Sequence, residues 1–151
     1  MPAAPTRSLA IPMLLVVLTA LVVTAIPFWV IRPWGEERAF PLGLVLEGPV
    51  SLDTVGGVPV ALLVAPDGQS VRAFEARLDG RPLELFGRAP APGEWLDLEL
   101  RSWGFDGCTV EAGTRRCLSS IPIFRSYWFD WLEHHPRTTV ATPLGLKRRV
   151  R

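Results

Sequence analysis

The sequence predicts a mainly β protein, with one N-terminal transmembrane helix followed by a small antiparallel β-rich domain that a short C-terminal helix closes. Three observations predict it. Leu9 to Ile31 carries no charged residue. Beyond it, short apolar stretches alternate with turn chemistry, and the 15 prolines and 13 glycines among 151 residues favour strands and turns over a helical bundle. Near the end, Trp128, Trp131, Leu132 and His135 fall at helical spacing, giving an apolar stripe that should close over a sheet.

The uncharged run is long enough to cross a hydrocarbon core of roughly 30 Å, which needs about 20 residues of helix. Pro12 would sit in its first turn, where a missing N–H costs little, and Pro27 in its last third, where it would kink or loosen the helix. Trp29 and Trp34 bracket the expected exit from the bilayer, where amphipathic rings favour the headgroup region. With Phe28 they are the candidates for membrane-interface and docking contacts. Two alternatives stand beside the anchor. A buried core helix fits poorly, because the run is apolar on every face. A cleaved signal peptide would use Val23-Thr24-Ala25, but the apolar run continues past that point. Orientation is not decided by charge: Arg7 precedes the run, and Arg32 and Arg38 follow it beside Glu36 and Glu37.

The expected organisation is a cytoplasmic tail over 1–8, the span over 9–31, a linker over 32–37, a periplasmic β-rich domain over 38–140 and a basic tail over 141–151. Within the domain, Arg38 to Leu46 and Val58 to Val64 read as strands, the second too continuously apolar for an exposed edge. Pro66-Asp67-Gly68 is a turn, and Asp79-Gly80 suits a two-residue hairpin between Val71–Leu78 and Arg81–Phe86. Ala89 to Gly93 reads as a stiff loop. From Trp95 to Arg101 the pattern alternates strictly, which places Leu96, Leu98 and Leu100 on one face and Asp97, Glu99 and Arg101 on a solvated one. Ser126 is positioned to cap a helix that Pro136 stops.

The only cysteines are Cys108 and Cys117. If Ala112-Gly113 is a hairpin loop, counting outward sets Cys108 against Cys117 at a non-hydrogen-bonded pair, where α-carbons approach to about 4.5 Å. A one-residue bulge and free thiols are the alternatives. A structural disulfide is the expected state, and it implies an oxidising compartment, with the N-terminus inside and the domain outside a bacterial inner membrane. Two sulfurs with no histidine beside them do not make a metal site. With a net charge of +1, no global field points to nucleic acid.

Arg38-Ala-Phe-Pro-Leu42, followed by Asp53-Thr-Val-Gly-Gly-Val-Pro-Val60, resembles the alanine-tyrosine-proline and aspartate-x-x-glycine-glycine-x-proline-valine segments of a bacterial family, domain of unknown function family 3179. Phe74, Asp79-Gly80, Phe86 and Trp103 continue the resemblance, and Trp128-Phe-Asp-Trp131 with His135-Pro-Arg-Thr138 looks like the family's closing helix and histidine-proline-x-threonine end. The resemblance implies a histidine-glutamate pair, an asparagine and a cysteine-proline-x-cysteine. Here those positions read Gly48-Pro49, Leu52 and Ala65-Pro-Asp-Gly68, which leaves Asp53 of the polar set.

The expectation is therefore a non-catalytic accessory or structural subunit of a larger membrane complex, respiratory or photosynthetic, that contacts other membrane subunits and lipid and uses no cofactor. Two alternatives come from other classes. One is a metal-dependent or redox periplasmic enzyme with a residual site at Asp53, His134 and His135. Adjacent histidines point apart on a helix, and a helix C-terminus already favours their charge. The other is a small-ligand module with a pocket lined by Trp103, Trp128 and Trp131, rings that core packing explains more simply.

Overall fold

In the computed structural model the described residues are 27–87, 92–111 and 113–143. The expected tail over 1–8, the part of the span before Pro27, the loop around Ala89 to Ala91, Ala112 and the basic end from 144 lie outside them.

Among the described residues, thirteen short strands form three stacked sheets and one isolated hairpin. The first sheet runs in the order β12 (Ile123–Tyr127), β1 (Pro27–Ile31), β2 (Arg38–Pro41) and β13 (Thr139–Val140). The second runs β11 (Ser120–Ile121), β5 (Val71–Glu75), β4 (Val58–Val64) and β3 (Val50–Val55). The third runs β10 (Ser102–Gly104), β9 (Glu94–Asp97) and β8 (Leu85–Phe86), and β6 (Arg77–Leu78) pairs with β7 (Arg81–Pro82). Pairing is antiparallel except for β13, which lies parallel to β2. Helix α1 (Leu42–Val45) is a single turn, and helix α2 (Trp128–His134) lies on the outer face of the first sheet.

Strand β4 explains the stacking. Val60, Leu62 and Val64 face the first sheet, where they meet Ile31 and Phe40. Ala61 and Leu63 face the third, where they meet Trp95 and Trp103. A strand buried on both faces must read as a continuous apolar run, as expected for this segment. The Asp79-Gly80 turn also forms as expected, with φ of 50° and 77°, and Gly68 takes φ of 66° beside Asp67, which accepts N–H bonds from Gln69 and Ser70.

The largest correction concerns the end of the apolar run. Pro27–Ile31 is a strand near the centre of the first sheet, not the last turn of a helix. Its side chains alternate as a strand requires: Phe28 and Val30 pack with Trp128 and Trp131 of α2, while Trp29 and Ile31 face the core shared with β4. Pro27 opens the strand, and a proline disfavours helix in the residue before it, which is the local signal for where the extended segment starts. The expected linker over 32–37 is likewise part of the fold. It holds a 3-10 turn at Pro33–Gly35, and Glu36 accepts the N–H of Gly56 in the β3–β4 turn at 2.9 Å.

Other differences are local. The strand expected over Arg38 to Leu46 stops at Pro41, and Leu44 and Val45 are buried from α1 instead. The segment Val71 to Leu78 divides at Ala76. Ser126 lies inside β12, and α2 begins without a side-chain cap. The face of β9 is the reverse of the expected one: Trp95 and Asp97 are buried, while Leu98 and Leu100 stand 64% and 74% exposed in the following turn.

Cys108 and Cys117 are disulfide-bonded, with α-carbons 4.0 Å apart. The N–H of Thr109 reaches the carbonyl of Arg116, and that of Leu118 reaches the carbonyl of Gly107, both at 2.8 Å. These bonds flank the cysteines, so the pair occupies the expected non-hydrogen-bonded position. Reducing the bridge is expected to lower stability by about 2.5–3 kcal/mol in the chain-entropy model. Thermal midpoints of the chain in mild detergent, with and without dithiothreitol, check this; equal midpoints would contradict it.

Candidate functional site

The polar side chains that converge most closely lie along the Arg32–Arg38 end of the first sheet, where the C-terminal segment folds back against Glu37. Glu37 precedes β2 and carries a carboxylate with three partners. One oxygen lies 2.8 Å from Arg32 Nη2 and 2.9 Å from His135 Nδ1, and the other accepts the Thr138 hydroxyl at 2.8 Å. Trp131 donates its indole N–H to Thr138 Oγ1 at 2.8 Å, and its ring stacks on His135 with centroids 4.0 Å apart. Neutral His135 can accept from Arg32 at 3.2 Å, whereas protonated at Nδ1 it donates to Glu37.

The seam continues through β13. Thr139 bonds the Glu37 carbonyl through its backbone N–H, and its hydroxyl accepts from Arg38 Nη1 at 3.4 Å. Arg38 Nε in turn donates to Asp53 Oδ2 at 2.9 Å, and the Asp53 carboxylate is almost wholly buried. Asp53 and His135, far apart in sequence, thus belong to one network. His134 does not join it by a hydrogen bond; it lines a shallow cleft of about 550 Å³ with Glu36, Glu37, His135 and Arg137.

Burial raises the affinity of the Glu37 carboxyl for its proton. The Thr138 hydroxyl and the charges of His135 and Arg32 outweigh this and hold it below the ordinary glutamate range. A depressed carboxylate contributes stability that is present above its unfolded pKa and lost as pH falls through its folded one. Glu37→Ala removes the acceptor shared by Arg32, His135 and Thr138, leaving the Thr138 hydroxyl with the His135 carbonyl at 2.9 Å, and is expected to cost about 1–3 kcal/mol. Urea midpoints at neutral pH check the cost, and the difference between the two chains should shrink on acidification.

Chemically, both carboxylates are committed. Asp53 holds Arg38 and the backbone N–H of Thr54, and Glu37 ties the C-terminal segment to the start of β2. Among the described residues no group of three histidines, cysteines or acids is placed to hold a metal.

The other expected site residues are dispersed. Phe28 is 2% exposed beneath α2, so it is not available to a docking surface. Trp29 is half-buried against the core between the first two sheets. Trp34 is 60% exposed, but it follows Ile31, roughly 13 Å along β1 from Pro27. Trp103 is wholly buried between the second and third sheets, whereas Trp128 and Trp131 lie on the far side of the first, so the three line no common pocket. Asp97 is a polar centre that the sequence reading placed in solvent. Its carboxylate accepts from Trp103 Nε1 at 3.0 Å, from Arg101 Nε at 2.7 Å and from the N–H groups of Glu99 and Arg101. The in-phase spacing of Trp95 and Asp97 is the signal that could have found it.

Residues 21–138 match the family described as Protein of unknown function (DUF3179). The chain belongs to this family. No curated protein and no solved structure matches it.

In this DUF3179 chain the match ends at Thr138, the residue that joins Trp131 to Glu37. It also takes in β1, which belongs to the folded domain. The positions where the resemblance implies the histidine-glutamate pair and the cysteine-proline-x-cysteine fall together at the opposite end of β3 from Asp53, while Leu52, at the asparagine position, is buried beside Asp53. The Pro49 carbonyl accepts the N–H of Val64 and the indole N–H of Trp95, each at 3.0 Å. Gly48, Pro49, Ala65, Pro66 and Gly68 there offer neither ligand nor proton through a side chain, and the Asp67 carboxylate is occupied by the N–H groups of Gln69 and Ser70 and the Ser70 hydroxyl.

Proposed function

We propose that this chain is a non-catalytic accessory subunit of a larger bacterial membrane complex, anchored by Leu9 to Ile26 with its β domain in the oxidising compartment. The observation that carries the reading is the junction at Pro27. Eighteen uncharged residues lead, with no intervening linker, into a strand that the first sheet buries between two neighbours. Such a run is within the length that spans a bilayer. A catalytic domain on a tether would reach away from the membrane, whereas this one would be held against it, where other subunits lie.

Three features bear on the reading. The disulfide suits a compartment outside the cytoplasm. Arg7 and the amino terminus on one side of the run are matched by Arg32 and Arg38 on the other, so charge does not oppose the N-terminus-inside orientation that the disulfide suits. The seam carboxylates serve as ties between chain segments, which favours scaffolding over acid–base work.

The test is extraction of the full chain in mild detergent from its native membrane. The reading expects a particle well above monomer size, with integral membrane proteins in fixed proportion. A chain that runs alone at monomer size would overturn the subunit role. A stoichiometric metal lost on Asp53→Asn or His135→Ala would overturn the non-catalytic one.

A further inference from the structure

We infer that the end of the first sheet carrying Tyr127, Phe129 and Leu46 rests in the headgroup region of the bilayer that holds Leu9 to Ile26. The inference depends on the anchored reading above and adds to it which face meets lipid. Strands β1 and β12 are antiparallel, with Pro27 paired to Tyr127 and Ile31 to Ile123. The chain therefore enters the domain beside Tyr127, one residue after Ile26. One residue spans at most about 3.6 Å, so a run that crosses the membrane brings this end of the sheet to its surface.

The side chains at this end suit that place. Tyr127 and Phe129 are 51% and 58% exposed, and their rings stack with centroids 6.4 Å apart. Phe28 pairs with Pro41 on the other side of β1, so α1, which follows Pro41, starts at the same end. Leu46 just beyond it is 41% exposed. Two aromatic rings and a leucine left in solvent beside an apolar chain end form a surface that an interface covers. Tyrosine suits it in particular, having an apolar ring and a polar tip. Trp34, the interface candidate suggested by sequence proximity, lies beyond the far end of β1. The register of β1 and β12 exchanges it for residues about a hundred positions later.

Depth-dependent fluorescence quenching tests this on the full chain in phosphatidylcholine–phosphatidylglycerol vesicles recovered by flotation. A polarity-sensitive dye is attached at Phe129→Cys, at Tyr127→Cys or, as the distant control, at Leu100→Cys, with the Cys108–Cys117 bridge left oxidised. All three positions are more than half exposed, so labelling leaves the core untouched. Spin-labelled lipids should quench the dye at 127 and 129 several-fold more than at 100. Equal quenching at the three sites in chain that floats with the vesicles overturns the lipid-facing ridge and leaves the anchor standing. A chain that does not float overturns the anchored reading and this inference with it.

Discussion

Asp97→Ala is expected to destabilise the domain by about 3–5 kcal/mol, the range for removing one partner of a buried ion pair. The carboxylate is fully buried at the end of β9 and serves four donors: Trp103 Nε1, Arg101 Nε and the backbone N–H groups of Glu99 and Arg101. Without it the indole N–H lies between the second and third sheets with no acceptor, and the turn carrying Leu100 at φ of 64° loses its staple. Arg101 keeps Glu99 at 3.1 Å, an exposed partner that compensates little. Burial pushes the Asp97 carboxyl up, but the bonds from Trp103 and Arg101 outweigh it and hold it below the ordinary aspartate range. The contribution is thus complete above that range and is lost as pH falls through the lowered folded value. Asp97→Asn keeps the shape without the charge, so it should cost less and flatten the acid limb of the stability profile. Denaturant midpoints across acid to neutral pH read both effects.

Gly107→Ala is the second large effect expected, and it is a backbone and packing effect together. Gly107 has φ of 78°, and a Cβ there would lie 2.3 Å from Cε1 of Phe74, a side chain that is 2% exposed and has nowhere to move. A left-handed alanine costs about 1–2 kcal/mol and overpacking a core about 1–3, roughly 2–5 in all. Gly57→Ala is the control: φ is 73° and nothing lies within 4 Å, so only the backbone share should appear. Thermal midpoints of the two variants in detergent separate the contributions, and equal shifts would mean that Phe74 yields.

Particular residues show which features were legible in the sequence and which were not. Strand β4, the Asp79-Gly80 turn, the register of the cysteines and the inward stripe of Trp128 and Trp131 rest on local chemistry or periodicity, which sequence displays directly. Asp97 was misplaced because strict alternation from Trp95 to Arg101 has two phases. The phase containing leucines looked apolar, yet burying the two tryptophans Trp95 and Trp103 covers more surface than burying Leu98 and Leu100, and the strand ends at Asp97. Hydropathy continued the anchor to Ile31 because a strand buried on both faces and a membrane helix are equally uncharged; Pro27 was the local mark of the boundary. The seam could not be read at all. Glu37 and His135 lie 98 positions apart, and only the parallel placement of β13 beside β2 brings the C-terminal segment back to Glu37.

The most direct test of the central claim is the sedimentation of the full chain after membranes are washed with alkaline carbonate, which strips proteins not embedded in lipid. A chain anchored through Leu9 to Ile26 stays in the pellet at its full mass. Release into the supernatant, either intact or shortened near Ala25, would contradict the anchor and with it the placement of the domain against the bilayer.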